Sequence, residues 1–301
     1  MTKIKIANAP FSWGAYNFDL DGKSPEYIQV LAGMKETGYK GTELGDWGFM
    51  PTSPMELREA LKGFGLLLLG AFVPAALSDE GAHGTGVETA IKKAGLMYDA
   101  GYEDAFIVLT DQNGTVNERT NNAGRITEDM GLSDASWITF AAGAEKIAAA
   151  VRKQYGLRTV FHHHCGGYVE TPKEVDRLMQ LTDRSLLGLC LDTGHYAFGG
   201  GDPVQALNTY YDRIWHIHFK DFDSKVDWRA ASEDFDYFKT VEEGIFCELG
   251  KGSVDFKSIV RILKEKDYEG WIVVEQDVLP GMGSPKKCAF NNRQFIRGLG
   301  L

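Results

Sequence analysis

Short runs of apolar residues alternate along the chain with longer segments whose apolar residues recur at helical spacing. Several of the short runs are almost continuously apolar, which is typical of parallel strands that are buried on both faces. The pattern predicts eight strands, which are Ile4–Ala9, Gly41–Leu44, Leu66–Phe72, Asp104–Leu109, Arg158–His162, Leu187–Asp192, Ile214–Phe219 and Trp271–Glu275.

The segments between these strands carry helix start and stop signals. Ser24, Ser53 and Thr171 each precede a proline, and a glutamate stands three residues after Ser53 and after Thr171, which predicts two capping boxes. Glycines that suit C-cap positions follow several of the segments. The predicted helices are Ser24–Thr37, Ser53–Lys62, Val87–Ala100, Ser136–Tyr155, Thr171–Gln180, Asp202–Asn208, Asp255–Lys266 and Lys286–Leu299.

This alternation over 301 residues predicts an α/β fold, a single (β/α)8 TIM barrel domain that spans residues 1–301. A doubly wound sheet is the alternative, but no Gly-x-Gly-x-x-Gly motif follows the first strand. Polar residues gather at the C-terminal ends of several strands, where a barrel places its active site. Residues 221–253 are rich in aromatic and acidic side chains, and we expect a loop with short elements that covers the strand ends.

Composition excludes several classes of function. The chain is 44% hydrophobic and 25% charged, which is average for a globular protein, and its net charge of −10 argues against nucleic-acid and anionic-membrane partners. No apolar stretch approaches the roughly 20 residues that span a bilayer, and the first residues lack the apolar region of a signal peptide. The four cysteines are far apart, which favours reduced thiols. We therefore expect a cytoplasmic protein.

Six of the seven histidines lie between residues 162 and 218, at the ends of three consecutive predicted strands. The first group is His162, His163 and His164. Side chains alternate along a strand, so His162 and His164 share one face and His163 points toward the helices if the strand continues. We expect His163, alone of the three, to have a structural role.

Two further groups follow the next two strands. Asp192 ends an apolar strand and is followed by a glycine turn and His195, although Asp192 is also a candidate N-cap for the next helix. His216, His218 and Lys220 share one strand face. A barrel interior holds such polar groups only when they are paired, bound to a metal or at the open end.

Carboxylates end two other strands. Glu275 follows an apolar run at the last strand, and Glu43 ends the second strand. A buried carboxylate is costly unless it meets a cation, which for Glu43 could also be a lysine or arginine of the barrel.

The groups that converge in this arrangement are imidazoles and carboxylates from strands five to eight. This donor set suits Mn²⁺, Co²⁺, Fe²⁺ or Zn²⁺, and the absence of a ligating cysteine pair argues against a structural zinc site. An open metal site can hold a carbonyl and a neighbouring hydroxyl, and can stabilise the enediolate that proton abstraction produces. His195, His164, Glu43 and Lys220 are the candidate catalytic acids and bases.

Motifs at the strand ends extend over essentially the whole chain, at residues 9–14, 38–45, 162–166, 191–195, 216–221, 250–256 and 271–277. Through them the sequence resembles the xylose-isomerase-like TIM barrel superfamily of sugar isomerases, epimerases and dehydratases. Within that superfamily it is most similar to the inosose dehydratase branch. The histidine triplet and the Lys220-Asp221 pair carry the resemblance to that branch.

The resemblance implies a divalent metal ion, typically Mn²⁺ or Co²⁺, with Zn²⁺, Fe²⁺ and Mg²⁺ as alternatives. Superfamily members usually bind it through Glu, Asp, His and Glu, and these positions fall on His162, Asp192, His218 and Glu275. His162 departs from the usual carboxylate, and this departure is shared with the dehydratase-like branch.

The resemblance also places substrate-binding positions on Glu43, His164, His195 and Lys220. We add Trp13 to this set, because residues 11–16 form the loop that borders the substrate and differ there from the inosose dehydratase pattern.

The leading hypothesis is a metal-dependent carbon–oxygen lyase that dehydrates a cyclic keto-polyol of the 2-keto-myo-inositol type, in inositol catabolism. A ketose 3-epimerase or sugar isomerase that uses the same enediolate chemistry is the alternative, since this barrel hosts many reactions. An endonuclease would need a basic surface, and a non-catalytic sugar-binding barrel is a further reading. We expect a small carbohydrate or cyclitol substrate, and the sequence leaves open whether identical chains assemble into an oligomer.

Overall fold

The structure is a computed structural model that describes residues 3–15, 25–279 and 281–301. Its strands are β1 (Ile4–Asn8), β2 (Gly41–Thr42), β3 (Leu67–Leu68), β4 (Gly70–Ala75), β5 (Phe106–Asp111), β6 (Arg158–His162), β7 (Leu187–Asp192), β8 (Ile214–Phe219), β9 (Asp221–Phe222), β10 (Phe246–Cys247) and β11 (Gly270–Val274).

The α-helices of the described residues are α1 (Tyr27–Thr37), α2 (Pro54–Phe64), α3 (His83–Asp99), α4 (Asn117–Asn121), α5 (Asp134–Tyr155), α6 (Pro172–Leu181), α7 (Thr193–Phe198), α8 (Pro203–Tyr210), α9 (Ser224–Glu233), α10 (Tyr237–Glu242), α11 (Phe256–Glu265) and α12 (Pro285–Gly298). A 3-10 turn at Pro10–Trp13 follows β1.

One parallel sheet forms the centre of the molecule, in the order β3-β2-β1-β11-β8-β7-β6-β5-β4. Its two ends, β3 and β4, are halves of one strand that is interrupted only at Leu69. The backbone N–H of Leu69 donates to Thr42 O over 2.9 Å, and Leu69 O accepts from the N–H of Phe106 over 2.8 Å. Chain continuity therefore closes the sheet, and the predicted eight-position TIM barrel is confirmed.

The register sets the heights of the polar side chains at the barrel mouth. His162 pairs with Cys190, Asp192 pairs with His218, and His218 pairs in turn with Val273. Neighbouring strands thus end at similar levels, so side chains that end β6, β7, β8 and β11 face one another.

Several predicted boundaries differ from the observed ones. The capping box at Thr171 is formed, whereas Ser53 is the N-cap of α2 without a side-chain hydrogen bond, so the prediction of a box there was wrong. The helix predicted from Ser24 begins at Tyr27, and Ser24 itself lies outside the described residues. The predicted strand Leu66–Phe72 is the β3–β4 pair.

Residues 221–253 form the expected cover of short elements over the strand ends. The antiparallel pair β9–β10 and helices α9 and α10 lie in this segment. A separate buried cluster joins the cover to the barrel mouth, and its members include Cys165, Phe198, Phe222, Tyr237, Ile245 and Phe246. Within the described residues, no helix is both long and apolar enough to span a bilayer.

Candidate metal centre and active site

Four buried side chains converge where β6, β7, β8 and β11 end. They are the four predicted metal ligands, His162, Asp192, His218 and Glu275, and one ligand atom from each lies within 4.8 Å of the others. His162 Nε2 is 3.3 Å from Asp192 Oδ2, and His218 Nδ1 is 3.4 Å from Glu275 Oε1 and 3.9 Å from Asp192 Oδ2.

This donor set fits a divalent cation. With bonds of about 2.1 Å, neighbouring ligands of an octahedral ion stand about 3.0 Å apart and opposite ones about 4.2 Å, close to the observed separations. The Nδ1 atoms of His162 and His218 are buried without a hydrogen bond. Two buried carboxylates that face the uncommitted Nδ1 of His218 are an arrangement that a cation stabilises.

Asp192 combines the two roles that the sequence left open. Its Oδ1 accepts from the backbone N–H groups of Gly194 and His195, each over 2.9 Å, and so caps α7 at the helix N-terminus. Its Oδ2 faces His162 and His218. One oxygen therefore serves the fold while the other remains for a ligand.

Lys220 lies beside this cluster and is buried. Its Nζ is 3.0 Å from Asp277 Oδ1, 3.3 Å from Glu275 Oε2 and 4.6 Å from the centre of the Phe246 ring. Burial by itself lowers the pKa of Lys220, but the carboxylates of Asp277 and Glu275 outweigh burial and raise it. The side chain is therefore an ammonium group.

Asp277 and Asp221 differ in how they relate to Lys220. Asp277, which we did not single out as a site residue, is the closest carboxylate to Lys220. The Asp221 carboxylate instead accepts from backbone N–H groups of Phe222, Gly250, Gly252 and Val254. The Lys220-Asp221 pair is thus adjacent in sequence without being an ion pair at the site.

Glu43 meets histidines and not the lysine or arginine that the sequence offered as an alternative. Its Oε1 lies 2.8 Å from His216 Nε2 and 2.9 Å from His218 Nε2, and all three side chains are buried. Burial alone raises the pKa of Glu43, but the two imidazoles outweigh burial and lower it. Glu43 is therefore ionised.

His164 and His195 continue a row of imidazoles from the predicted metal ligand His162. Ring centres of His162 and His164 are 4.1 Å apart, and those of His164 and His195 are 4.6 Å apart. Burial is the main cause that lowers the pKa of all three well below the usual histidine value. His164 is half-buried and is the most accessible of the row.

His163 and Trp13 face away from this cluster. His163 Nε2 accepts from the backbone N–H of Asp192 over 3.3 Å, which is the structural role we expected of it. Trp13 donates its indole N–H to Asn8 Oδ1 over 2.5 Å, and its ring packs on Gly33 of α1. The described contacts of Trp13 are therefore with the barrel wall, and its part in substrate binding stays a prediction.

Comparison with known proteins agrees with this fold. The family model of xylose isomerase-like TIM barrels matches residues 31–295. The chain belongs to the xylose isomerase-like TIM barrel family. An inosose dehydratase of Geobacillus kaustophilus is 34% identical to the chain over 295 residues, which cover 97% of this chain and 94% of the relative.

Solved structures share the barrel. A probable 3-DHS dehydratase from Bacillus anthracis superposes with a TM-score of 0.70 at 15% identity, covering 97% of this chain and 98% of the other. A D-allulose 3-epimerase from Methylomonas sp. superposes with a TM-score of 0.69 at 16% identity, covering 99% of each chain. At these identities the likeness concerns the fold, and a fold alone does not determine the reaction.

Proposed function

We propose that this chain is a metal-dependent lyase that removes water from a cyclic keto-polyol of the 2-keto-myo-inositol type. The observation that carries the proposal is the convergence of His162, Asp192, His218 and Glu275 beside the Lys220 ammonium. Full-length similarity to an inosose dehydratase supports the same assignment. In this proposal residues 1–301 act as one barrel domain on a small cyclitol in the cytoplasm.

The four predicted ligands would hold the cation, for which Mn²⁺ and Co²⁺ are our first choices. Imidazole and carboxylate donors suit both ions. When bound, the cation supplies Lewis acidity that polarises the ketone and acidifies the neighbouring C–H bond.

His164 is our candidate for the general base. Its Nδ1 is 2.8 Å from Thr110 Oγ1, and its Nε2 makes no hydrogen bond within residues 3–15, 25–279 and 281–301. The low pKa keeps the ring neutral at pH 7, so it is able to accept the proton alpha to the ketone. Since His164 is the most accessible imidazole of the row, it is placed to meet a substrate that enters from the opening.

Lys220 is our candidate for the general acid. As the bond between carbon and the beta hydroxyl breaks, the electron pair of the former C–H bond forms the new double bond, and the leaving oxygen takes a proton from Nζ and departs as water. The proton held by His164 returns through solvent, which restores Lys220. His195 would bind substrate as a donor, because its Nδ1 accepts from Cys165 N–H over 3.3 Å and the neutral ring then carries its proton on Nε2.

A 3-epimerase is the second candidate, because the Methylomonas relative with the same barrel is an epimerase and the chemistry diverges only after proton abstraction. An epimerase returns a proton to the carbon and expels no hydroxide. The buried Lys220 ammonium favours dehydration, since expulsion of hydroxide requires an acid at the leaving oxygen.

Mass spectrometry of 2-keto-myo-inositol incubated with the protein and Mn²⁺ in D₂O tests the proposal. We expect the loss of one water, abolished in Glu275→Gln and retained in the exposed control Glu265→Gln. Uptake of deuterium without water loss would assign an epimerase or isomerase. Full activity of metal-free Glu275→Gln would overturn the metal-dependent reading.

A further inference from the structure

One carboxylate oxygen receives two histidine donors below the candidate metal centre. Glu43 Oε1 lies 2.8 Å from His216 Nε2 and 2.9 Å from His218 Nε2. A carboxylate oxygen has two lone pairs, and one that lies within hydrogen-bond distance of two ring nitrogens accepts from both. Both Nε2 atoms must therefore carry hydrogen, and this contact fixes which nitrogen of each ring is protonated.

The consequence for His218 concerns its other ring nitrogen. Nδ1 is buried, has no hydrogen-bond partner, and faces Glu275 Oε1 at 3.4 Å and Asp192 Oδ2 at 3.9 Å. With hydrogen on Nε2, Nδ1 is the nitrogen of His218 that would bind a cation, and binding requires a lone pair on that atom. Glu43 thus directs a lone pair of His218 into the candidate metal centre.

His216 is the second histidine that contacts Glu43, and it helps to fix the position of the Glu43 carboxylate. Its ring is buried, packs 5.2 Å from the Phe106 ring and 5.1 Å from the His218 ring, and donates to the same oxygen of Glu43. Neither Glu43 nor His216 belongs to the four-donor cluster.

We propose that Glu43 is a positioning residue that acts on the cation through His218, held in place by His216, and that it does not contact substrate. Metal-bound histidines commonly donate their other ring nitrogen to a carboxylate, and removal of such a partner costs about 10–100-fold in metal affinity. The inference rests on the proposed function only in assuming that the four donors bind a divalent cation.

Isothermal titration of the full-length, metal-free protein with Mn²⁺ tests it without any measurement of activity. We expect about 10–100-fold weaker binding in Glu43→Gln, a smaller loss in His216→Phe, and wild-type affinity in the exposed control Glu265→Gln. If Glu43 instead bound substrate, Glu43→Gln would have a raised KM and an unchanged affinity for Mn²⁺. That result would overturn the inference and leave the proposed function intact.

Absence of Mn²⁺ and Co²⁺ binding by the wild-type protein would instead overturn the metal assignment of the proposed function. Nitrogen-15 NMR of the wild-type protein labelled at histidine provides a second test that does not depend on a variant folding. We expect a hydrogen-bonded Nε2–H signal for His218 in the cation-loaded protein. Hydrogen on Nδ1 of His218 would contradict the proposal.

Discussion

Lys220 is held by two carboxylates, and the two differ in what else they contact. Glu275 shares its oxygens between Lys220 and His218, whereas Asp277 makes its described ion pair with Lys220 alone. A buried ammonium group without a partner is strongly unfavourable, so removal of one carboxylate leaves the charge dependent on the other. We infer that Asp277 keeps Lys220 in place when Glu275 serves the metal.

Replacement of Asp277 by asparagine keeps the shape of the side chain and removes its charge. We expect kcat to fall by at least about 10-fold, because a displaced Lys220 no longer meets the leaving oxygen, while bound Mn²⁺ stays near the wild-type level. Steady-state kinetics and metal analysis of the purified variant measure both. The exposed Asp212→Asn serves as the control, and an unchanged kcat in Asp277→Asn would show that Lys220 does not need this partner.

Contacts between residues far apart in sequence explain which site residues the sequence did not reveal. Alternation at the end of β6 separates His162 from the structural His163, which directly follows the strand. The partners of Glu43 are 173 and 175 residues away, so no local pattern shows that it meets histidines. Asp277 follows Glu275 by two residues, yet only the fold shows that Lys220 reaches it.

At the scale of elements, α7 begins directly where β7 ends, and this junction lies against Lys220. A Cβ atom at Gly194 would stand 2.6 Å from Lys220 Cγ and 2.8 Å from Lys220 Cβ. Glycine at this position therefore allows the first turn of α7 to approach the lysine stem.

Substitution of Gly194 by alanine should push the lysine stem away from its carboxylates. We expect a loss of about 1–3 kcal/mol in the free energy of unfolding from overpacking, together with reduced kcat. Urea denaturation and kinetics measure these effects. Gly84→Ala in α3 is the matched control, because no atom lies within 4 Å of its added Cβ; it should be neutral or slightly stabilising.

Glu170 connects two segments that border the opening. Its Oε1 accepts from Gly124 N–H over 2.6 Å and its Oε2 accepts from Gly166 N–H over 2.7 Å. Burial raises the pKa of Glu170 to about 7, in spite of these hydrogen bonds and the nearby Arg119. The folded protein consequently binds a proton here that the unfolded chain, with a usual pKa near 4.5, releases.

The sign of the resulting pH dependence follows from linkage. A raised pKa in the folded state contributes stability that is complete below pH 4.5 and is lost as the pH rises through about 7. Between pH 5 and pH 8 we expect the wild type to lose about 2.5 kcal/mol of stability relative to Glu170→Gln. Urea titrations of both proteins across this range measure the difference, and parallel curves would contradict the prediction.

Elements with strong local signals were predicted well, and elements that depend on tertiary packing were not. The apolar runs of β5 to β8 are unmistakable because both faces are buried. No sequence pattern marks the interruption of the strand at Leu69. The start of the short helix α7 is also unmarked, because Asp192 fits both the end of a strand and an N-cap. The cover at residues 221–253 was predicted as a loop with short elements, but the positions of α9 and α10 within it were not predicted.

At the scale of the molecule, the barrel brings two buried carboxylates from distant parts of the chain to one space at its mouth. Asp192 and Glu275 face the same space, and burial raises the pKa of Asp192. The alternation of strands and helices predicted this closed architecture because a parallel sheet needs a helical crossover after each strand. The identity of the ion and of the substrate depends on distances between side chains at the barrel mouth, and the alternation of strands and helices does not determine these distances.

Addition of Mn²⁺ to the metal-free protein should therefore raise its thermal stability. A ligand that binds only the folded state at 100 times its Kd contributes about 2.7 kcal/mol. Differential scanning calorimetry with and without Mn²⁺ measures the shift in Tm. Glu275→Gln should show a much smaller shift, and an equal shift in that variant would place the ion elsewhere.

The two oxygens of Asp192 have separate functions, so evolution at this position must preserve both the helix cap and the proposed cation ligand. Most replacements would lose the helix cap and the ligand together, so a survey of variants by yield alone would record a structural residue and a survey by turnover alone would record a catalytic one. Asparagine separates the demands, because its carbonyl oxygen is able to cap α7 while its amide nitrogen is no ligand for a cation. We therefore expect a chain carrying Asp192→Asn to fold as a barrel and to lack the proposed reaction. Evolution could in that way retain this fold while its metal-dependent chemistry is lost.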